Sequence, residues 1–177
     1  MTFTLTSPTL TDNATLPLAH VHTDAGGQNH SPELHWANPP AGTKSFALSC
    51  YDPDAPTGSG FWHWYIINLP GEARSLGENA AASGLPAGAR HARNDYGDYN
   101  YGGACPPPGH GTHRYIFTIH ALDCEHLDNA RRIVFYRPMD LNERPWERPL
   151  YRPVHPFEKA ENRIIIQDYA YRYVRHY

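Results

Sequence analysis

The sequence has few cysteines and no long apolar run. Its three cysteines, Cys50, Cys105 and Cys124, are odd in number and lack C-x-x-C spacing, which disfavours a disulfide framework and a zinc site. No segment approaches the roughly 18 apolar residues of a transmembrane helix. Met1 is not followed by the basic and apolar regions of a signal peptide. We therefore expect free thiols, no membrane span and a cytoplasmic location.

Charge and catalytic motifs are also scarce. The net charge is −3, so no global field favours nucleic acid or an anionic membrane as a partner. The twelve histidines do not recur with carboxylates at metal-ligand spacing, and we expect no metal. The chain has no P-loop, dinucleotide fingerprint, H-E-x-x-H or G-x-S-x-G motif. We expect no cofactor and no enzymatic activity.

Strand signals fill the first two-thirds of the chain. Aromatic and β-branched runs bounded by Gly, Pro and Asp predict strands at 45–51, 62–69 and 115–122, with weaker candidates at 3–6 and 16–21. No helical apolar stripe occurs before residue 123. With 40% hydrophobic residues in 177, the chain is long enough for one core. The pattern favours a mainly all-β sandwich over an α/β fold.

Two Gly/Pro-rich loops each lead to a histidine at the start of a strand. Residues 51–64 read YDPDAPTGSGFWHW and contain His63, and residues 101–115 read YGGACPPPGHGTHRY and contain His113. Such loops are stiff, because proline fixes φ. If they converge, they form a preformed polar pocket with histidine donors, which suits a small anion.

These loops, together with SPELHW at 31–36 and PAGTKSFAL at 40–48, resemble the phosphatidylethanolamine-binding protein family, in its bacterial Raf-kinase-inhibitor-like branch. The resemblance runs from about residue 3 to Asp123 and stops there. It implies a Greek-key arrangement of antiparallel sheets with a pocket at one end. It also implies that the position of Asp52 lines the pocket.

The candidate ligand-binding residues come from the two loops and the strands that follow them. An imidazole near pKa 6.5 donates to a phosphate and gains charge when the anion binds, although each histidine is alternatively a core residue bonded to a backbone carbonyl. Asp52 is expected to orient the imidazoles or to accept from backbone amides. The full set is Asp52, Pro56, Trp62, His63, Gly103, Cys105, Pro106, His113 and Tyr115.

Other residues have structural or mixed interpretations. Asp54 and Arg114 are expected to form an ion pair that pins the first loop. Gly102 and Gly103 permit φ > 0 or close approach to a ligand. Pro56 is a candidate for a cis peptide bond. Trp62 and Tyr115 are interpreted either as core residues or as the pocket wall. Cys105 lies at or near a pocket-lining position, and Pro106 stiffens the loop without an N–H.

The C-terminal part, residues 124–177, differs in composition from residues 1–123. It has none of the 14 glycines and 10 of the 15 Lys and Arg residues, and five prolines lie between Pro138 and Pro156. We find neither the helix nor the final strand that relatives carry. One hypothesis is a reading-frame change that replaced the native end; the other is a divergent appendage that wraps the sandwich. No independent domain is expected, and an uncovered sheet edge would favour association, including a homodimer.

Three functions fit the sequence. The leading one is a binding module for a phosphate-like anion, such as a phospholipid headgroup, a nucleotide or a phosphorylated group. The second is an interaction protein that inhibits a kinase or a protease, as relatives in the family imply. The third is a hydrolase that uses Asp and His as acid and base. The motifs favour the first.

Overall fold

The computed structural model describes residues 2–127 and the backbone of residues 162–170, which form two β-sheets. The elements are β1 (Thr4–Thr6), β2 (Leu34–Ala37), β3 (Ser45–Asp52), β4 (Phe61–Pro70), β5 (Ser75–Leu76), α1 (Ala80–Ser83), β6 (Arg90–His91), β7 (His113–Leu122) and β8 (Asn162–Ala170). The three-stranded sheet has the order β1-β2-β5, and the five-stranded sheet has the order β6-β4-β3-β7-β8. The four-residue helix α1 and two 3-10 turns, Leu18–His20 and Thr23–Ala25, are the helical elements of the described residues. The prediction of a mainly-β fold is confirmed.

The longer predicted strands agree with the structure. The runs at 45–51, 62–69 and 115–122 are β3, β4 and β7, and the run at 3–6 corresponds to β1. The predicted strand at 16–21 is wrong: Pro17 precedes a 3-10 turn, and Val21 makes only a single bridge to Ala104. Strands β2, β5 and β6 were missed because two to four residues are too few for an alternating pattern.

The core lies between the two sheets. Phe46 of β3 is fully buried, stacks against Phe3 beside β1 at 6.2 Å between ring centroids, and meets the edge of Trp36 of β2 at 5.7 Å. A second, smaller apolar cluster lies on the other face of the five-stranded sheet. It consists of Ala47, Ile67, Leu122 and Leu127.

A β-bulge in β4 places His63 on the core-facing side of the sheet. Cys50 pairs with Trp64 and Tyr51 pairs with Trp62, so His63 is the extra residue. In an uninterrupted strand, successive side chains alternate between faces, and His63 would point away from Trp64. The bulge breaks the alternation. The rings of His63 and Trp64 accordingly both contact tyrosines of the core cluster, Tyr115 and Tyr101 respectively.

The C-terminal part contributes a strand that the sequence analysis did not find. Residues Asn162–Ala170 form β8, which pairs in parallel with β7, from His113 opposite Asn162 to Ala121 opposite Ala170. All other strand pairs described are antiparallel. The statement that no final strand follows residue 123 is therefore corrected. The origin of the region by a frame change or by divergence stays a hypothesis, and residues 128–161 and 171–177 lie outside the described residues.

Candidate functional site

Asp52 and His113 form a buried pair at one end of the five-stranded sheet. β3 ends at Asp52 and β7 begins at His113, and the two strands run antiparallel, so these ends meet. Nδ1 of His113 lies 2.7 Å from Oδ2 of Asp52, and each side chain is 3% exposed. The backbone N–H of Asp54 donates to Oδ1 of Asp52 at 2.8 Å. The carboxylate thus makes both contacts expected of it, to an imidazole and to a loop amide.

His63 is held by the second loop. Its Nδ1 lies 2.9 Å from the carbonyl oxygen of Gly102 and 3.2 Å from that of Gly103, while the N–H of Gly102 donates back to the His63 carbonyl at 3.0 Å. A carbonyl oxygen only accepts, so Nδ1 carries the proton. Burial lowers the pKa of His63, against the opposing effects of the two carbonyls and of the Asp52 charge. Neutral His63 therefore has an unprotonated Nε2.

Aromatic rings surround His63. Its ring meets the edge of Tyr115 at 5.0 Å and of Tyr96 at 5.5 Å, and it is tilted against Phe61 at 5.0 Å. The Tyr115 hydroxyl is buried and has no hydrogen-bond partner within the described part of the chain. Burial and, to a smaller extent, the nearby Asp52 charge raise the pKa of Tyr115 far above its usual value. Tyr115 is thus a neutral hydroxyl beside the two histidines.

The two glycines of the second loop are required by close packing. A Cβ on Gly103 would lie 2.5 Å from the backbone nitrogen of His22 and 2.6 Å from the carbonyl oxygen of His20, and one on Gly102 would lie 2.3 Å from the Tyr96 ring. Neither glycine has positive φ, so the left-handed conformation allowed for them in the sequence analysis is not used. What they provide is close approach of two backbone segments.

The Asp54–Arg114 pair ties the first loop to β7. Nε and Nη2 of Arg114 each donate to Asp54 at 2.8 Å, and the Arg114 backbone N–H donates at 2.9 Å. The Asp54 side chain is 15% exposed and that of Arg114 is 45% exposed. Burial raises the pKa of Asp54, but the hydrogen bonds and charge of Arg114 outweigh it and lower the pKa overall. The pair has the geometry expected of an ion pair that holds the first loop against β7.

Trp62 and Pro56 lie apart from the histidines. The Trp62 ring lies 4.2 Å from Tyr51 and 4.7 Å from Tyr65, and no ring contact with His63 occurs among the described residues. Trp62 and His63 are adjacent in β4 and lie on opposite faces of the sheet, as the alternation of a strand requires. Pro56 is exposed in the first loop, and its expected cis peptide is corrected, because residues 2–127 contain no cis bond.

Cys105 and Pro106 lie at the rim, half-buried, directly after the buried Gly103 and Ala104. The Cys105 thiol is free, as expected. The carbonyl of Ala104 accepts from the N–H of His22 at 3.0 Å, which joins this rim to the turn before residue 23. These two residues therefore border the site without a described hydrogen bond to either histidine.

Comparison with known proteins identifies the family of this chain. The sequence profile described as phosphatidylethanolamine-binding protein matches residues 6–148. The chain belongs to the phosphatidylethanolamine-binding protein family. The match extends past Asp123, where the sequence analysis ended it, and this boundary is corrected.

Two of the similar proteins come from Escherichia coli. The chain is 52% identical to the UPF0098 protein YbhB of Escherichia coli over 128 residues, which cover 70% of this chain and 80% of YbhB. The crystal structure of Escherichia coli YbcL, described as a new member of the mammalian PEBP family, has a TM-score of 0.69 and 45% identity and covers 71% of this chain and 79% of YbcL. Family membership supports a ligand-binding protein in general.

Two further observations concern metals and membranes. Within residues 2–127, whose side chains are described, there is no group of three or more His, Cys, Asp or Glu placed to hold a metal ion. In the same described parts, no helix has the length and apolarity needed to cross a bilayer.

Sequence reasoning missed several residues of the site. Tyr96 stacks on His22 at 5.0 Å, and its hydroxyl donates to the Gly103 carbonyl at 2.9 Å. Asn29 accepts from the N–H of Gly103 at 2.6 Å, and the His110 ring lies 5.6 Å from that of His113. The run NDYGDYNYGG at 94–103 was the available signal, because Gly, Asn and Asp mark a turn-rich loop.

Proposed function

We propose that the family member described here binds a small phosphate-like anion at the end of the sandwich where Asp52, His63 and His113 lie. The observation that carries the proposal is the buried Asp52–His113 pair. When His113 is protonated, its charge is balanced by Asp52 and Nε2–H is directed away from the carboxylate. A charge-assisted N–H is the stronger kind of donor for a phosphate oxygen. Phosphates of a lipid headgroup, a nucleotide or a modified side chain share this chemistry.

Rigidity supports a binding role. The Asp54–Arg114 fork fixes the first loop, and the Gly102–His63 backbone contact fixes the second. Because the donors are held before a ligand arrives, little conformational entropy is lost on binding. The negative charge of Asp52 does not oppose the anion strongly, since its two oxygens already accept from His113 and from the Asp54 amide.

We propose binding rather than turnover. A nucleophilic mechanism needs a hydroxyl or thiol in hydrogen-bond contact with a base. In the described residues His63 contacts two carbonyls and His113 contacts Asp52 through Nδ1, and neither contacts a serine, a threonine or the Cys105 thiol. A panel of phosphate esters should therefore be bound and recovered unchanged.

The test is a thermal-shift screen of inorganic phosphate and small phosphate esters at pH 6 and pH 8. An anion at 100 times its Kd adds about 2.7 kcal/mol of stability. We expect stabilisation at both pH values and more at pH 6, where histidine is protonated more readily. The matched control is the His63→Ala/His113→Ala double variant, which should show no shift. An equal shift in the double variant, or none in the wild type, refutes the proposal.

A cytoplasmic location is part of the same proposal. It is supported by the free thiols of Cys50 and Cys105, because cysteines outside disulfides persist in reducing compartments. Fractionation of cells that produce the native protein tests it, and recovery in the membrane or extracytoplasmic fraction contradicts it.

A further inference from the structure

The two histidines of the site have different hydrogen-bonding roles. Nδ1–H of His63 is committed to the carbonyl oxygens of Gly102 and Gly103, which cannot donate. Its Nε2 therefore has a lone pair and accepts a hydrogen bond as long as the ring is neutral. The sequence analysis treated both imidazoles as donors to the anion, and the geometry of His63 gives it the opposite role.

His113 differs because its Nδ1 contacts a carboxylate instead of a carbonyl. With the Asp52 charge 2.7 Å away, a proton on each ring nitrogen leaves the buried pair with no net charge. Nε2–H of His113 then donates. His63 has no such partner in hydrogen-bond contact, and a proton on its Nε2 would leave a buried positive charge among aromatic rings.

Resting on the proposed function of this site, we propose that it selects a phosphate group that still carries one proton, that is, the monoanion of a phosphomonoester. One P–O⁻ accepts from Nε2–H of His113, and the P–OH donates to Nε2 of His63. Both rings lie at the same end of the sheet and both are influenced by the Asp52 charge. The preferred ligand therefore supplies one donor and at least one charged acceptor.

Competing anions lack that donor. A phosphomonoester dianion, a sulfate ester and a phosphodiester carry only acceptor oxygens and would direct a lone pair toward the lone pair of His63. An unpaired buried polar contact of this kind is the usual source of strong discrimination. The inference thus disfavours the intact phosphodiester of a lipid headgroup and favours a terminal phosphate.

Burial keeps His63 neutral. It lowers the pKa of His63 and outweighs Asp52 of β3 and Asp95 of the segment after β6, whose charges raise it. Tyr115 of β7 and Tyr96, also in the segment after β6, face the ring, and burial raises the pKa of each phenol so that both stay neutral.

The experiment compares two ligands of the same size and charge. Methyl phosphate below pH 6 is a monoanion with one proton, whereas methyl sulfate is a monoanion with none. Their Kd values are measured on the full chain by calorimetry from pH 5.5 to pH 8. The phosphate loses its proton with a pKa of about 6, so about 1% remains protonated at pH 8. Titration of the protein affects both ligands and cancels in the ratio of their Kd values.

We expect methyl phosphate to bind at least about 10-fold more tightly than methyl sulfate at pH 5.5, as one lost hydrogen bond to a buried group predicts. The preference should fall about 10- to 100-fold by pH 8. Dimethyl phosphate, a diester, should behave like methyl sulfate. Equal affinity for the three anions at pH 5.5, tight binding of the diester, or a ratio that does not change with pH overturns the inference but leaves anion binding intact. Absence of binding by all three overturns the proposed function as well.

A substitution at His63 tests whether its Nε2 is the acceptor for the P–OH group. In His63→Gln the side-chain amide can donate as well as accept, so the preference should collapse to within about 2-fold. His35→Gln is the control, because His35 is an exposed residue of β2, and it should keep the preference. Imidazole ¹⁵N NMR of the wild type with methyl phosphate provides a readout that does not depend on a variant. His63 should retain an unprotonated Nε2 in the complex, and a doubly protonated ring there overturns the inference.

Discussion

Oδ2 of Asp52 and Nδ1 of His113 lie 2.7 Å apart, and each of these side chains is only 3% exposed. Asp52 is thus the counter-charge for any proton that His113 gains. The pair joins the C-terminal end of one strand to the N-terminal end of its neighbour, so the same contact that orients the imidazole also holds the site end of the sheet together.

Replacing Asp52 with asparagine should weaken phosphate binding while preserving the fold. The asparagine side chain has nearly the same shape, and its Oδ1 can still accept from Nδ1–H of His113. Its amide nitrogen cannot accept from the Asp54 N–H, and the side chain provides no charge to balance an imidazolium. We expect a loss of about 10-fold or more at pH 6, equivalent to about 1.4 kcal/mol. Asp54→Asn is the matched control and should lose less than about 3-fold. The Kd for phosphate of each variant is measured by calorimetric titration. Equal losses of affinity in the two variants would contradict the role of Asp52 as a counter-charge.

The Asp54–Arg114 fork should contribute to stability more than to binding. Removing the carboxylate abolishes the three hydrogen bonds that Arg114 donates to Asp54, and hydrogen bonds to charged groups contribute about 1.5–3 kcal/mol. Because Arg114 is 45% exposed, we expect Asp54→Ala to cost about 1–2 kcal/mol in urea unfolding. Folding lowers the pKa of Asp54. The stability that the fork provides is therefore present above the pKa of Asp54 in the unfolded chain, and it is lost as pH falls through the pKa of Asp54 in the folded chain. A cost below about 0.5 kcal/mol at pH 7 would show that the fork does not stabilise the loop.

Gly103→Ala should distort the second loop. The new methyl carbon would lie 2.5–2.6 Å from backbone atoms of His22 and His20, and backbone atoms cannot rotate away. Overpacking costs about 1–3 kcal/mol, and the shift of the Gly103 carbonyl should also weaken ligand binding. Gly77→Ala is the control, since nothing lies within 4 Å of its Cβ and its φ is not positive. Equal unfolding free energies for the two variants contradict the prediction.

His120 should make the fold sensitive to acid. Burial lowers its pKa from 6.5 to about 3, and its Nε2 lies 3.1 Å from the Ser49 hydroxyl on the face opposite the site. The unfolded chain binds a proton below pH 6.5 and the folded chain does not until about pH 3. Stability is therefore full above pH 6.5 and falls as pH drops, by about 2 kcal/mol between pH 6.5 and pH 5.

His120→Gln tests that assignment. The amide reaches Ser49 from a similar position but does not titrate. Other buried histidines are present in both chains, so they cancel in the difference between wild type and variant. We expect the free energy of unfolding of the variant to fall by about 2 kcal/mol less than that of the wild type over this pH range. Parallel pH profiles would assign the acid sensitivity elsewhere.

Strand β8 should be protected from hydrogen exchange. Its backbone pairs with β7 along nine residues, and paired amides in a sheet exchange slowly. Because β8 is the edge strand of its sheet, only alternate N–H groups of 162–170 pair with β7. We expect these paired amides to be retained over times comparable to those of β3 and β7. Complete exchange in the shortest labelling time would contradict the pairing and support the frame-change hypothesis, which comparison with alternative translations of the coding DNA examines independently.

The strands of the core were predictable because long aromatic and β-branched runs have few other structures available. The Asp54–Arg114 pair followed from a carboxylate and an arginine in two loops at strand ends. The roles of individual atoms did not, because the carbonyls that fix the His63 tautomer belong to residues 39 and 40 positions away. Sequence spacing carries no information about such contacts.

The faces of β4 were also beyond sequence reasoning. Strict alternation places Trp62 and Trp64 together and His63 opposite them, whereas the structure separates the tryptophans. Strand β8 was missed for a related reason. Its pairing is parallel and joins residues nearly fifty positions apart, so no hairpin turn marks it.

The bulge at His63 has a consequence for how this site changes during evolution or engineering. The one extra residue in β4 decides which face of the sheet His63 lies on. The number of residues in β4 is therefore as important for the site as the identity of those residues. Deleting the single residue Trp62 would leave every histidine in the protein, yet it could restore alternation and turn the imidazole toward the Tyr51 face. A homologue that conserves Asp52 and both histidines but has one residue fewer in β4 would be expected to lack the site. In a sequence alignment, a one-residue gap in β4 would be the only sign of that loss.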